Sequence, residues 1–173
     1  MIKVLLVFWP ENGNVDTVAD KIVSRFNEAT VKKVSVLDLQ KSDLENYDNW
    51  IVGGSTVGAH VWEDADDSNR WFEFFKLIRE INPDHKVVAF YGLGDQILYP
   101  HHFVDGLGFF QKEFEKYNVH TVGQWPVTGY DFYESAGVQD DYFYGLALDE
   151  DNQEELTEDR ISQWIESIRK EFR

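Results

Sequence analysis

Apolar runs that alternate with helical patterns are the feature that most constrains how this chain can fold. The first run, Ile2 to Phe8, is rich in Val, Leu and Ile, which is typical of a strand covered on both faces in a parallel sheet. Two more runs, Trp50 to Gly54 and 86–92, have the same character, and each ends on glycine. Helical spacing of apolar residues occurs between the runs, so the pattern predicts a doubly wound α/β sheet with helices on both faces.

Two further strands complete the predicted sheet of five. A more exposed strand near one edge is predicted at 31–39, and a fifth strand begins at 119–125. The next segment, 126–145, has no helical period and is dense in aromatic residues and turn formers, and strand character resumes at 146–150. We therefore expect an insertion within the fifth strand.

Helices are predicted where apolar residues recur every three or four positions. The segments are 15–26, 68–81, 103–117 and 157–172, with Ser68 and Thr157 as the N-caps of the second and the fourth. The expected buried faces are Val15, Val18, Ala19, Ile22, Val23 and Phe26; Trp71, Phe72, Phe74, Phe75 and Ile78; Phe103, Leu107, Phe110 and Phe114; and Ile161, Trp164, Ile165, Ile168 and Phe172.

The charge balance and the absence of cysteine exclude several classes of protein. With 32 acidic residues against 16 Lys and Arg, the net charge of −16 repels nucleic acid and anionic membranes and favours basic protein partners. Without cysteine the chain has no disulfide, thiol nucleophile or iron–sulfur cluster. The first apolar run is too short for a membrane span and no cleavage pattern follows it, so we expect a single cytoplasmic domain over 1–173.

Loops with little regular pattern follow the first, third and fourth strands, at 9–14, 55–67 and 92–101. In a doubly wound sheet a ligand binds at the carboxyl ends of the strands, where the strand order reverses, so these loops form the candidate site. The first loop opens a helix whose backbone amides favour an anion, and Gly13 permits left-handed or close-approach geometry. An ordinary β–α turn fits the first loop equally well, since a strand followed by a loop and a helix occurs several times in most α/β proteins.

The third loop and the last third of the chain resemble a known family. The sequence AFYGLGDQILYPHHFVDGLG resembles the 90s loop of flavodoxins, and WPVTGYDFYES and GLALDEDNQ look like parts of the inserted loop and last helix region of long-chain members. The resemblance covers nearly the whole chain. It implies a three-layer, doubly wound, flavodoxin-like fold with a five-stranded parallel sheet of order 2-1-3-4-5, and FMN as the cofactor.

Flavodoxins hold the FMN phosphate in a T-x-T-G-x-T loop after the first strand. The resemblance places this loop on Pro10, Glu11, Asn12, Gly13, Asn14 and Val15, and Trp9 before it is also expected to contact the cofactor. All three hydroxyls are therefore missing, and each lost hydrogen bond to a charged group costs about 1.5–3 kcal/mol. Glu11 would add repulsion if its carboxylate pointed inward. The glycine, the helix start and the side-chain amides of Asn12 and Asn14 remain to bind the phosphate.

The second loop also departs from the family pattern. Ser55 and Thr56 stand at the phosphate end of a segment in which flavodoxins carry a Trp over one flavin face, but Val57 occupies the Trp position. Trp62 is the expected substitute and His60 a less favoured one. Packing of Trp62 against its own loop remains the alternative.

In the third loop the match to flavodoxins is better. Tyr99 stands where long-chain members stack a Tyr on the other flavin face. The resemblance places His102 near the ribityl chain and assigns the flavin's polar edge to Gly92, Leu93, Gly94 and Asp95.

Other clusters of polar residues are interpreted as structural. The acidic run 63–67 lacks the spacing of a calcium loop, and the adjacent His101 and His102 suit a metal poorly, so no metal site is expected. Asp95 follows a turn glycine. We interpret it as a carboxylate that accepts backbone amides rather than as a general acid or base.

The resemblance implies a low-potential FMN protein that carries single electrons between a reductase and an acceptor enzyme. Apolar packing of the flavin in a strongly acidic protein disfavours added negative charge and so lowers the potential. We expect an electron carrier rather than an enzyme, a monomer that docks its partners through an acidic rim. Two alternatives stay open: a flavodoxin-like module that has lost FMN and serves in binding or regulation, and a flavin-dependent quinone reductase.

Overall fold

The computed structural model describes residues 1–26, 29–55 and 69–173. Its strands are β1 (Ile2–Trp9), β2 (Ala29–Ser35), β3 (Asn49–Ser55), β4 (Val87–Leu93), β5 (His120–Val122), β6 (Trp125–Pro126), β7 (Val138–Gln139), β8 (Tyr142–Phe143) and β9 (Leu146–Leu148). Over these ranges the main sheet is parallel and has the order β2-β1-β3-β4-β5. The predicted fold class and strand order are confirmed.

Two short strands occupy the fifth position of the sheet in turn. β5 pairs with Val87–Ala89 of β4, and β9 pairs in parallel with Tyr91–Leu93, further along the same strand. Between them the chain forms a small antiparallel sheet of order β6-β8-β7. The insertion predicted within the fifth strand is therefore present.

A partly buried tyrosine, Tyr130, anchors this insertion to the main sheet. The Tyr130 hydroxyl accepts a hydrogen bond from Trp125 Nε1 at 2.9 Å and donates one to the Ala147 carbonyl of β9 at 2.6 Å. Burial raises the pKa of Tyr130 to about 12, so the hydroxyl keeps its proton at neutral pH. The Tyr130 ring also contacts Phe103 and Phe143, which joins the insertion to the aromatic core.

The helices are α1 (Asn14–Ser24), α2 (Lys41–Asn46), α3 (Trp71–Ile81), α4 (Asp105–Phe114) and α5 (Thr157–Ile168). The apolar faces predicted for α4 and α5 are buried. The short helix α2, which begins with a capping box between Gln40 and Asp43, was not predicted. In the described ranges no helix combines the length and the apolar character needed to cross a membrane.

Alternation along β1 divides the interior into two layers. Val4, Leu6 and Phe8 pack with α1 and α5 on one face of the sheet. Leu5 and Val7 point to the other face and pack with α3 and α4. Burial of each such side chain contributes about 1.5–3 kcal/mol, so both helical layers are held firmly on the sheet that positions the loops.

Some predicted details are wrong. Phe72 is 44% exposed, because it lies beside rather than on the face formed by Trp71, Phe74, Phe75 and Ile78. Thr157 is the first residue of α5 rather than its N-cap, and its hydroxyl donates to Glu150 instead of capping the helix. Ser68 lies outside the described residues.

The second strand is shorter than predicted at its carboxyl end. It ends at Ser35, where the Asp38 amide donates to the Ser35 carbonyl at 3.0 Å and the Leu37 amide to its hydroxyl at 3.2 Å. This turn replaces the strand expected over 36–39.

Candidate functional site at the carboxyl ends of the strands

The three candidate loops leave the sheet side by side. In the register of the sheet, Trp9 lies opposite Gly54, and Gly54 lies opposite Gly92. The loops that follow β1, β3 and β4 therefore start at one edge, as the topology predicted.

In the first loop, one residue has the left-handed backbone conformation and its neighbour has the open space for a ligand. Asn12 has a φ of 61°, in the left-handed region that a short polar side chain tolerates. Gly13 has a φ of −143°, so it is extended, and the left-handed geometry proposed for it belongs to Asn12. A β-carbon on Gly13 would meet no atom within 4 Å. The space beside Gly13 is open, which suits close approach by a ligand.

The N-terminus of α1 faces this loop without a side-chain cap. Gly13 is the N-cap and carries no side chain to accept from the first turn, whose amides have no intrahelical acceptor. The positive end of the helix dipole adds to the attraction for an anion. Val15 does not contribute a side chain here, since it is buried against the sheet.

The carboxylate of Asp16, in the first turn of α1, binds the backbone of the loop. Asp16 Oδ2 accepts the backbone amide of Asn12 at 3.0 Å, so this amide is engaged within the loop. Asp16 also accepts a hydrogen bond from Lys33, which in turn donates to Asp20 Oδ1 at 2.6 Å. The hydrogen bond from Lys33, followed by that from the Asn12 amide, lowers the pKa of Asp16. Burial opposes the charge of Lys33, but its two carboxylate partners raise its pKa overall, so both groups are ionised at neutral pH.

A second contact fixes the start of α1 against β4. Tyr91 is fully buried, and its hydroxyl donates to the Val15 carbonyl at 3.1 Å. Burial raises the pKa of Tyr91 well above its ordinary value, so this donor keeps its proton. The ring occupies the space above Gly53, where a β-carbon would lie 1.8 Å from Tyr91 Cε1. The first turn of α1 is thereby held at a fixed position over the sheet edge.

The second loop begins at the carboxyl end of β3. Ser55 is the last residue of β3 and is partly exposed at the sheet edge. The other predicted residues of this loop, Thr56, Val57, His60 and Trp62, lie outside the described residues, as does the acidic run 63–67. Their assignments stay predictions.

The third loop begins with backbone packed closely on α4. A β-carbon on Gly92 would lie 2.8 Å from Leu107 Cγ, and one on Gly94 would lie 2.9 Å from the Val104 amide nitrogen. Both glycines are therefore required by packing. Leu93 points its side chain into the core, so only its backbone can face a ligand.

Asp95 organises the tip of this loop. Its Oδ1 accepts the amides of Ile97 at 3.0 Å and Leu98 at 2.8 Å, and the side-chain amide of Asn152 at 2.9 Å. The Leu98 amide makes the largest contribution to a lowered pKa for Asp95, so the carboxylate stays charged. Asp95 is a turn carboxylate, as the sequence analysis interpreted it.

The tip presents apolar and aromatic side chains to solvent. Tyr99 is 58% exposed and its amide donates to the Asp95 carbonyl at 2.9 Å, so the ring is held on an ordered turn. Ile97 and Leu98 are 60% and 67% exposed. An exposed tyrosine on a fixed turn is suited to stacking on a planar ligand.

The two histidines lie in the turn before α4. His102 Nδ1 lies 2.9 Å from Asp105 Oδ2, and the His101 ring contacts Tyr133 of the insertion. Across the described ranges no group of His, Asp and Glu is arranged to hold a metal ion.

A buried polar network behind the third loop was not predicted. Asp149 is fully buried and accepts the backbone amide of Gln96 at 3.1 Å and its side-chain amide at 2.8 Å. Asn152 donates its backbone amide to the same carboxylate at 3.0 Å, and Gln96 Oε1 accepts the Asp131 amide at 2.5 Å. The network connects the third loop, the insertion and the end of β9. Its residues lie within GLGDQ, WPVTGYDFYES and GLALDEDNQ, but periodicity does not reveal which side chains meet.

Comparison with known proteins identifies the family. The sequence model of the family described as Flavodoxin matches residues 6–164. The chain belongs to the flavodoxin family. It is 35% identical to the flavodoxin of Synechococcus elongatus, with 99% of each chain covered, and 35% identical to flavodoxin 1 of Escherichia coli K12, with 96% of this chain and 93% of that protein covered.

Solved flavodoxin structures are similar over the full chain. The flavodoxin of Fusobacterium nucleatum bound to flavin mononucleotide matches with a TM-score of 0.87 and 28% identity, covering 100% of both chains. Flavodoxin 2 of Bacillus cereus matches with a TM-score of 0.63 and 18% identity, over 98% of this chain and 99% of the other, which supports the fold alone. The family predicted from the third loop and the insertion is thus confirmed.

Proposed function

We propose that this protein is an FMN-binding, low-potential electron carrier of the cytoplasm. The observation that carries the proposal is the match to the FMN-bound Fusobacterium nucleatum flavodoxin over the whole of both chains. Bound FMN supplies one-electron oxidation and reduction, while the residues of the protein bind it, orient it and shield it from water.

The residues of the first loop fit the phosphate end of FMN. The uncapped amides of α1 and the open space beside Gly13 supply an anion site made of backbone. Asn12 and Asn14 are exposed and offer side-chain amides, and Ser55 and Thr56 offer hydroxyls. We propose that these donors replace the three hydroxyls missing at Pro10, Asn12 and Val15.

The third loop fits the flavin ring. The exposed Tyr99 covers one face, and Trp62 is proposed for the other. The backbone of residues 92–95 would face the polar edge of the flavin, since Gly92 and Gly94 pack closely against α4 and its N-cap and the Leu93 side chain is turned into the core. His102, in the turn before α4, would face the ribityl chain.

The protein is proposed to exchange electrons with a reductase and an acceptor enzyme as a monomer. Flavodoxins act by electron transfer to redox partners, and the net charge of −16 favours partners with basic docking surfaces. Ile97 and Leu98 supply exposed apolar contacts beside Tyr99 at the proposed flavin edge.

The missing hydroxyls favour one competing function. A flavodoxin-like module that has lost FMN would tolerate Pro10, Asn12 and Val15 at the former threonine positions. An absorption spectrum of the purified protein, followed by titration with FMN and then dithionite, separates the two. Flavin bands near 370 and 450 nm that bleach on reduction are expected. A colourless protein that does not respond to FMN would establish the competing function instead.

A methyl group at Gly13 tests the placement of the phosphate. Gly13→Ala should leave the free energy of unfolding of the FMN-free protein unchanged, because Gly13 is extended and its β-carbon would meet open space. The FMN dissociation constant should rise about tenfold, since the methyl group displaces the phosphate from the helix amides. Riboflavin, which lacks the phosphate, is the control ligand, and its affinity should stay the same. Equal weakening of both ligands would contradict the placement.

A further inference from the structure

A lysine of β2 joins two carboxylates of α1 directly behind the first loop. Lys33 Nζ donates to Asp16 and to Asp20, and it lies 4.7 Å from the ring centre of Phe8. The side chains of Lys33 and Asp16 are each 23% exposed, whereas that of Asp20 is 69% exposed. The pair of Lys33 and Asp16 is therefore the shielded part of the cluster.

Asp16 determines the shape of the loop through the Asn12 amide. It is the third residue of α1, the position from which a capping-box carboxylate binds the N-cap amide. Here the bond reaches one residue further back, to Asn12, which has the left-handed conformation. The Gly13 amide is left out of this bond.

This arrangement places a negative charge beside a loop proposed to receive a phosphate dianion. A carboxylate near a phosphate repels it, which would oppose the attraction of the helix amides. Lys33 bonds the same carboxylate through its other oxygen, Oδ1, and so offsets the charge without occupying the loop. Asp16 thus fixes the loop conformation, and Lys33 reduces the repulsion between Asp16 and a phosphate.

We propose that Asp16 and Lys33 are positioning residues that adapt this hydroxyl-free loop to the FMN phosphate: Asp16 sets the loop conformation and Lys33 neutralises Asp16. The inference rests on the proposed function. It concerns the phosphate alone, so Lys33 should affect FMN affinity and leave riboflavin affinity unchanged.

The neighbouring Lys32 provides a matched control. Because side chains alternate along β2, Lys32 points to the opposite face of the sheet, where its Nζ donates to Asp43 Oδ1 of α2 at 2.5 Å. Lys32→Met and Lys33→Met change the net charge equally, and each breaks contact with a helix: one ion pair with α2 for Lys32 and two with α1 for Lys33. A difference in FMN affinity between the two variants therefore reflects the location of the lysine and not the change in net charge.

The test measures dissociation constants of FMN and riboflavin by fluorescence titration for the wild type and both variants. Lys33→Met should weaken FMN binding about tenfold, because the Asp16 carboxylate loses its cation and repels the phosphate, and should change riboflavin binding less than about twofold. Lys32→Met should change FMN binding less than about threefold, and Lys33→Arg should bind FMN like the wild type.

A further variant separates charge from hydrogen bonding. Asp16→Asn keeps an oxygen that can accept the Asn12 amide but removes the charge, so FMN should bind at least as tightly as to the wild type. Combined with Lys33→Met it should restore FMN affinity to within about threefold of the wild type, since the carboxylate that Lys33 neutralises is gone. Asp16→Asn and the double variant also test the proposal if Lys33→Met alone fails to fold.

The outcomes distinguish this inference from the function on which it rests. A wild type that ignores FMN would overturn both. A wild type that binds FMN, with equal effects of Lys32→Met and Lys33→Met or equal effects on FMN and riboflavin, would overturn the inference alone.

Discussion

At the scale of single residues, two neighbours in the first loop perform functions that sequence reasoning assigned to one. Gly13 was expected to supply either left-handed geometry or close approach, but Asn12 has the positive φ and Gly13 has the open space. The sequence could not show this, because Asn also tolerates the left-handed region and the choice depends on the hydrogen bond that the Asn12 amide donates to Asp16. The predicted contacts of Gly13, Asn14 and Tyr99 with the cofactor stay predictions.

Removal of the Tyr99 ring should loosen the flavin. Tyr99→Ala is expected to raise the dissociation constants of FMN and riboflavin alike by about tenfold, because stacking involves the ring common to both. Tyr142, an exposed tyrosine of β8, gives the matched control Tyr142→Ala, which should leave both constants unchanged. An unaltered affinity for Tyr99→Ala, measured by the same titration, would remove the stacking assignment.

Asp95 should make the stability of the protein depend on pH in acid. Its pKa is lowered from the ordinary 3.8, so its contribution to the free energy of unfolding is complete above that value and is lost as the pH falls through the lowered pKa. Asp95→Asn should therefore be less stable than the wild type at pH 7, and the difference should shrink below about pH 4. Urea unfolding of both proteins between pH 3 and 7 measures it. A difference in the free energy of unfolding that stays constant over this pH range would contradict a stabilising role for the Asp95 charge.

At the scale of elements, periodicity predicted what depends on local sequence and missed what depends on distant contacts. The buried faces of α4 and α5 and the split fifth strand were predicted because each has a clear pattern over many residues. α2 was missed because six residues give too few turns for a helical period. The bond between Gln96 and Asp149 joins positions 53 residues apart, and no local pattern could indicate it.

That network gives a prediction for the third loop. Asp149→Asn places an amide donor among the donors of Gln96 and Asn152, so the free energy of unfolding should fall by about 2–4 kcal/mol. The exposed Asp151 gives a control, Asp151→Asn, which should change it by less than about 0.5 kcal/mol. Urea unfolding provides both values. Equal stabilities would mean that the network does not hold the loop.

At the scale of the whole molecule, the net charge was readable from composition and the helical layers from the alternation of strands with helices, while the strand order came from the resemblance to flavodoxins. Net charge is a sum over all residues, and the layers follow from the succession of strands and helices along the chain. Neither depends on an individual contact. With 32 acidic and 16 basic residues, the protein carries a field that acts over distances longer than any single contact.

Electron exchange with a basic partner should therefore slow as salt is added. Raising the ionic strength from 0.01 to 1 M shortens the Debye length from about 30 to about 3 Å, which removes long-range attraction. Stopped-flow measurement of the bimolecular rate with a basic reductase should show a fall of at least about tenfold. The same partner with free FMN is the control. A rate that does not depend on salt would exclude docking through the acidic rim.

The fit of the Tyr91 ring over Gly53 restricts the order in which this protein can diverge. Any side chain at position 53 would put its first carbon 1.8 Å from Tyr91 Cε1, so position 53 cannot change while Tyr91 is kept. The tyrosine must be replaced first, and its hydrogen bond to the Val15 carbonyl is lost with it. A descendant that alters the sheet at Gly53 thus first passes through a form in which the start of α1 has lost this anchor.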